Sequence, residues 1–429
     1  MLIKEFLLDN RKSERDSYIW NMFGSMLMAF QSVIMLMILT RTVGLAEAGI
    51  FTIANANANL FVTIGKYGMR YFQVSDVKNQ FLFVDYRTAR IITSIIMLIV
   101  SGVFVIYSMT RNGYTLRKSL IIFLMCLFKV VDVIEDVYHG LYQKENRLDI
   151  AAKAMSLRLI VTIIVFGASV IISKNLLLSL IVSTILTGIL FIILTGLTYG
   201  EFHVAKEKLQ KENVVLLLKI CFPLFAGTFL SFYIGNVPKY AIDSVLNDEL
   251  QACYGFISMP VFVIGLLNGF VFNPMLYNMS ILWNEGKRKR FVIKTLLQIG
   301  IILVITAICL IGAYLIGIPI LSALYNTDLS SYRSELLILL LGGGFLGMSG
   351  LLNTVITIIR FQDSLMWGYT VVAALALLFS RQIVEKYEMI GASILYTVLM
   401  GILCVVFLIF FFIGIYKCKL CRKPISCSE

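Results

Sequence analysis

Residues 389–416 read MIGASILYTVLMGILCVVFLIFFFIGIY, a run without a single Asp, Glu, Lys, Arg or His. At about 1.5 Å of rise per residue, a helix over this run exceeds the ~30 Å hydrocarbon core of a bilayer. It has no charged face to turn towards water, so it does not read as the amphipathic helix of a soluble core. A barrel strand would alternate over about ten residues, which this run does not do. It reads as a membrane-spanning helix.

Eleven further apolar segments precede it, at about 17–40, 46–65, 88–109, 118–138, 154–172, 176–198, 214–237, 250–275, 293–317, 335–359 and 364–380. The composition agrees: 59% of the 429 residues are hydrophobic and 14% are charged, against about 25% charged in an ordinary soluble domain. Mean hydropathy is +0.88. The fold class expected is an all-α polytopic membrane protein with about 12 transmembrane helices.

The net charge of +12 would suggest nucleic acid in a soluble chain. Here the lysines and arginines alternate between loops. The N-terminus, the even-numbered loops (Arg90 and Arg158 counted among them) and the tail hold 27, the odd-numbered loops hold 9, and Lys129 lies inside a span. Positive residues collect on the cytoplasmic side, so both termini are expected in the cytoplasm and no nucleic-acid partner is implied. In this count the membrane interior holds Lys129 against Asp132, Glu135 and Asp136, a net charge of −2.

The polar stretch EFHVAKEKLQKEN (201–213) divides the spans six and six. The domain organisation expected is a six-helix lobe at 1–200, a cytoplasmic linker at 201–213, a second six-helix lobe at 214–416 and a cytoplasmic tail at 417–429. Two six-span halves keep one orientation, so their repeat would be parallel. Thr42-Val-Gly-Leu-Ala-Glu-Ala-Gly-Ile-Phe51 and Ser244-Val-Leu-Asn-Asp-Glu-Leu-Gln-Ala-Cys-Tyr254 echo this, each setting an acid shortly before a small residue and an aromatic. Pro223, Pro238, Pro260, Pro274 and Pro319 all fall in or at spans of the second half, where bent helices are expected. Residues 1–16 are polar and do not read as a cleavable signal peptide.

Cys126, Cys221, Cys253, Cys309 and Cys404 lie in apolar spans as small core residues. Cys418, Cys421 and Cys427 lie in the tail without a nearby histidine. Zinc wants four ligands, so reduced thiols are the favoured reading. No nucleotide-binding, zinc-protease or nucleophile-elbow motif occurs, and neither an enzyme nor a bound cofactor is expected.

Ionisable residues at membrane depth are costly and therefore point to function. Lys129, Asp132, Glu135, Asp136 and His139 share the fourth span. Helical spacing puts Lys129, Asp132, Asp136 and His139 on one face with Glu135 at its margin. The stripe begins about 14 Å from Leu120 and runs to the cytoplasmic edge. It reads either as a cavity wall for protons, ions or a polar substrate, or as an interfacial helix end with internal salt bridges. Asn55 and Asn59 share a face of the second span, while Asn57 points elsewhere. These amides, with Gln31, Asn268, Asn273, Asn353 and Arg360, either line a cavity or bond helix to helix. Lys239 and Asp243, at i and i+4, form a rim ion pair, or Lys239 offers a cation to an anionic headgroup.

Arg41-Thr-Val-Gly-Leu-Ala-Glu-Ala-Gly-Ile-Phe51 resembles the R-x-x-G-x-x-x-x-G-x-[FY] pattern that follows the first span of Wzx-type polysaccharide flippases, in the multidrug/oligosaccharidyl-lipid/polysaccharide exporter superfamily. Gly65-Lys-Tyr-Gly-Met-Arg-Tyr-Phe-Gln-Val-Ser-Asp76 and Asp136-Val-Tyr-His-Gly-Leu-Tyr-Gln-Lys-Glu-Asn-Arg147 are similar to stretches of that family. So is Ala241-Ile-Asp243 followed by Tyr254. The resemblance implies transfer of an undecaprenyl-diphosphate-linked oligosaccharide from the cytoplasmic to the outer leaflet of a bacterial inner membrane. It further implies two six-helix lobes around a hydrated, often cationic cavity. Under it, Arg70 and Lys129 meet the diphosphate, with Asn55, Asn59, Lys239, Asn268 and Asn353 lining the cavity. Asp132, Glu135, Asp136 and His139 then couple transport to H+ or Na+. The partners implied are membrane lipids, a polysaccharide polymerase and glycosyltransferases, around a monomer. The fourth span departs from the pattern in its excess of acid. The competing reading is a cation-coupled drug antiporter of the same superfamily. A major-facilitator transporter would carry a G-x-x-x-D-R-x-G loop, absent after the second span.

Overall fold

The computed structural model describes residues 2–8, 13–76, 79–202, 209–272 and 275–420, without the side chains of 2, 13–16, 266, 268–272, 276, 277 and 418–420. Asn273, Pro274, Cys421, Cys427 and the side chains of Asn268 and Cys418 lie outside that description, as does much of the expected linker.

The described chain is helical throughout. It runs as α1 (Leu2–Leu8), α2 (Ser13–Thr42), α3 (Leu45–Lys66), α4 (Met69–Ser75), α5 (Phe83–Arg111), α6 (Leu116–Lys144), α7 (Leu148–Ser173) and α8 (Leu176–Tyr199). It continues as α9 (Lys211–Val245), α10 (Asp248–Phe272), α11 (Leu276–Asn284), α12 (Arg288–Gly312), α13 (Ile318–Tyr325), α14 (Arg333–Ile358) and α15 (Asp363–Leu420). Each of the twelve apolar segments falls on a helix. The last two are the arms of α15, broken where Glu388 takes the left-handed φ of 48°.

By length and composition, nine helices among the described residues are apolar enough to cross a membrane, α15 counting once. α6, with Lys129, Asp132, Glu135 and Asp136 in its middle, is not among them.

Which side of each helix is polar identifies the solvent. On α5, Ile91, Ile95, Ile99, Val103 and Ile106 face outwards, whereas Asp85, Arg90, Thr93, Ser94 and Ser101 are buried. A water-soluble helix shows the reverse. Lipid tails accept the aliphatic face, and the buried polar groups find partners in the protein. The chain is a multi-pass membrane protein.

Two compact units divide the chain, Met1–Phe232 and Tyr233–Glu429. The division falls inside α9, beyond the 201–213 stretch. The first half of α9 brings Val214, Leu217 and Cys221 into a cluster with Met69, Phe81, Tyr86 and Val137. Phe225 stacks on Tyr67 with ring centroids 4.6 Å apart. Apolar burial thus fastens this half-helix to the first unit.

Each unit is built around one central helix. In the second unit α14 packs against α10, α12 and α15. It admits them through Gly342, Gly343 and Gly344, where an added Cβ would lie 2.6 Å from Tyr396, 3.1 Å from Val261 and 2.7 Å from Thr306. Small residues let membrane helices approach closely. In the first unit α6 packs against α3, α4, α5, α7 and α8, and there charge joins the helices.

Candidate functional site

α6 starts at Thr115, whose hydroxyl accepts the backbone N–H of Lys118. Its apolar first half then delivers five ionisable side chains into the interior. Lys129, Asp132, Glu135, Asp136 and His139 are all less than 9% exposed.

The surrounding helices supply their partners. Arg158 of α7, wholly buried, donates through Nη2 to Asp132 (2.7 Å) and to Glu135 (2.7 Å), and through Nε to Glu135 (3.2 Å). Its Nη1 donates to Thr187 of α8 at 2.9 Å. Lys129 reaches Asp132 at 3.2 Å and Gln31 of α2 at 3.3 Å. The His139 ring lies 3.8 Å from Glu135.

Asp136 faces another way. Its Oδ2 accepts from Arg90 of α5 at 2.8 Å, and Arg90 also donates to the Gly65 carbonyl at 3.0 Å. Its Oδ1 lies 3.3 Å from Arg70 and 4.0 Å from Lys66. Arg70 also donates to Gln143 at 3.0 Å. Lys66, Arg70, Asp136 and Gln143 line a cavity of about 450 Å³, with Tyr71 and Ser75.

Glu135, at the margin of the α6 face, is tied to Asp132 by one guanidinium that spans both carboxylates. The net charge of −2 expected at membrane depth leaves out two buried cations. Arg90 and Arg158, assigned to loops by the charge count, have no exposed surface. Arg158 lies about 15 Å along α7 from Leu148, and Arg90 about 10 Å along α5 from Phe83. With Lys66, Arg70 and Lys129 they make five cations against three carboxylates. The signal that could have found them is their sequence setting, since each lies only a few residues from the start of an apolar run.

α3 presents a half-buried face that carries Asn55, Asn59 and Lys66, while Asn57 is buried and bonds the Ile53 carbonyl at 3.0 Å. Among the described residues, the Asn55 and Asn59 amides make no hydrogen bond. Asn353, in the second unit, donates to the Tyr369 hydroxyl at 3.1 Å and so joins α14 to α15. Lys239 is half-buried on α9, and among the described residues no ion pair joins it to Asp243. Among the described residues, no three His, Cys, Asp or Glu side chains form a metal-binding group.

No protein-family model matches the chain. The capsular polysaccharide biosynthesis protein CapF of Staphylococcus aureus is 23% identical over 326 residues, covering 73% of this chain and 78% of that protein. Among solved structures, the lipid II flippase MurJ in an inward closed conformation matches with a TM-score of 0.69 and 14% identity, over 94% of both chains. A multidrug resistance MATE family transporter of the MOP superfamily, inward-facing, matches with a TM-score of 0.66 and 13% identity, over 93% of this chain and 96% of that one. The chain therefore has the twelve-helix membrane fold of MOP-superfamily transporters.

Proposed function

We propose that this protein is a non-enzymatic flippase. It carries undecaprenyl-diphosphate-linked oligosaccharide units from the cytoplasmic to the outer leaflet of a bacterial inner membrane, by alternating access. The observation that carries the reading is the excess of cations over acids in the α6 network, with Lys66 and Arg70 open to the cavity. A diphosphate cannot enter hydrocarbon unpaired, and a planar guanidinium recognises phosphoryl oxygens in pairs. The free amides of Asn55 and Asn59, on the same face of α3 as Lys66, suit sugar hydroxyls. The names of CapF and MurJ support the same substrate class.

Ion coupling through Asp132, Glu135, Asp136 or His139 would run by exchange. Each acid already holds a protein cation, so an incoming H+ or Na+ displaces Lys129 from Asp132, or Lys66 and Arg70 from Asp136. A polysaccharide polymerase and glycosyltransferases are the proposed partners of a monomeric transporter.

The drug-antiporter reading shares the fold, but an organic cation entering the cavity meets Lys66 and Arg70 with the same sign of charge. Deletion of the gene separates the two. Loss of surface polysaccharide, restored by the wild-type chain and not by Arg70→Ala, is the expected result. Intact polysaccharide with new sensitivity to organic cations would establish the antiporter instead.

A further inference from the structure

Asp136 is held unequally by its three cations. Arg90 is wholly buried, bonds Oδ2 at 2.8 Å and is anchored by the Gly65 carbonyl, which also accepts from Thr93 at 2.7 Å. Lys66 and Arg70 have side chains 35% and 31% exposed, and reach Oδ1 only at 4.0 and 3.3 Å. Charge-assisted bonds at full strength are about 2.7–2.9 Å long, so the two cavity cations are bound loosely and Arg90 tightly. Three cations against one carboxylate leave two positive charges facing a cavity of about 450 Å³. That matches a diphosphate diester, whose two phosphoryl groups each ionise once.

We propose that Asp136 is an internal counter-anion: it occupies Lys66 and Arg70 while the cavity is empty, and yields them to the diphosphate of the substrate while Arg90 retains it. The inference rests on the flippase reading and specifies how that site is regulated. A resident carboxylate lowers the cost of keeping two cations at the edge of the membrane without substrate. It also weakens substrate binding, because the incoming anion must displace it. The substrate is then held loosely enough to leave, and the pair re-forms behind it. Gln143, bonded to the second Nη of Arg70, keeps that guanidinium aimed at the cavity during the exchange.

The test uses the full chain in lipid nanodiscs, with inorganic pyrophosphate as probe and binding read by calorimetry at constant ionic strength. Asp136→Asn alone would strand the buried Arg90. The decisive variant is therefore Arg90→Gln/Asp136→Asn, which removes the tight pair together and leaves the net charge of the site unchanged. It is expected to bind pyrophosphate about threefold or more tighter than wild type, the scale of one released half-exposed ion pair. Lys66→Gln/Arg70→Gln is expected to lose binding. If the Arg90/Asp136 variant binds no tighter while the Lys66/Arg70 variant still loses binding, the counter-anion role is overturned and the flippase reading stands. If the Lys66/Arg70 variant binds as wild type does, the diphosphate site itself is misplaced. Should the Arg90/Asp136 variant not fold, acylation of Lys66 in the wild type and in Asp136→Glu, read by mass spectrometry, decides the question. The longer Asp136→Glu carboxylate reaches the two cations that Asp136 meets only at 4.0 and 3.3 Å, so pyrophosphate should protect Lys66 less in that variant, and equal or stronger protection would overturn the proposal.

Discussion

Arg158 of α7 grips Glu135 of α6 through two nitrogens, Nε at 3.2 Å and Nη2 at 2.7 Å, and the same Nη2 reaches Asp132 at 2.7 Å. No part of the arginine touches solvent. One side chain thus bridges two acids a helical turn apart and ties α6 to α7, and through Thr187 to α8.

Removing one partner of such a group leaves uncompensated charge in the interior, at a cost of about 3–5 kcal/mol. Arg158→Gln is expected to lower the unfolding temperature and the amount of protein in the membrane. Arg158→Gln/Glu135→Gln should recover much of the loss, because both partners become neutral. A double variant no more stable than the single one would refute the pairing as the source of the effect.

Lys129 is held differently, by two contacts longer than 3 Å to Gln31 and Asp132. Its loss leaves Asp132 with Arg158; an asparagine at 132 leaves Arg158 with Glu135 and leaves Lys129 the oxygens of Gln31 and of the new amide. Lys129→Ala and Asp132→Asn are therefore expected to abolish surface polysaccharide while protein abundance holds. Normal surface polymer in both variants would remove these residues from the transport site.

Among the described residues, Asn55 and Asn59 make no side-chain bond that the fold needs. Asn55→Ala/Asn59→Ala should unfold at the wild-type temperature yet transport poorly in a polysaccharide assay. A drop in unfolding temperature with transport intact would mark them as structural.

Gly65 lets α3 approach α6, and an added Cβ would lie 2.7 and 2.9 Å from the two methyls of Val133. Gly65→Ala is expected to cost about 1–3 kcal/mol through overpacking, and to shift the carbonyl that takes Arg90 and Thr93. Val133→Ala in the same chain should restore stability, which thermal unfolding of the pair measures.

The alternation of lysine and arginine between loops predicts a topology. A green fluorescent reporter at the C-terminus should fluoresce, and alkaline phosphatase fused after Arg111 should be active. The opposite pattern would invert the orientation of the whole chain.

Membrane helices were legible in the amino-acid sequence because insertion into hydrocarbon depends on local composition. The charge-free run at 389–416 needs no neighbour to declare itself, and the other apolar segments fall on helices for the same reason. So does the i, i+4 geometry that sets Asn55 and Asn59 on one face and Asn57 on another, since helical spacing is fixed by the backbone. The identity of the acids in α6 was legible too. Their partners were not. Arg90 and Arg158 stand near the starts of apolar runs, where a long basic side chain can turn towards cytoplasmic water or into the bundle. The choice depends on which helix packs alongside and what it offers. Only the tertiary structure places Asp136 against Arg90, and Asp132 with Glu135 against Arg158. It thereby surrounds the three acids of α6 with five cations, because the sign of such a site is a sum over helices distant in the chain.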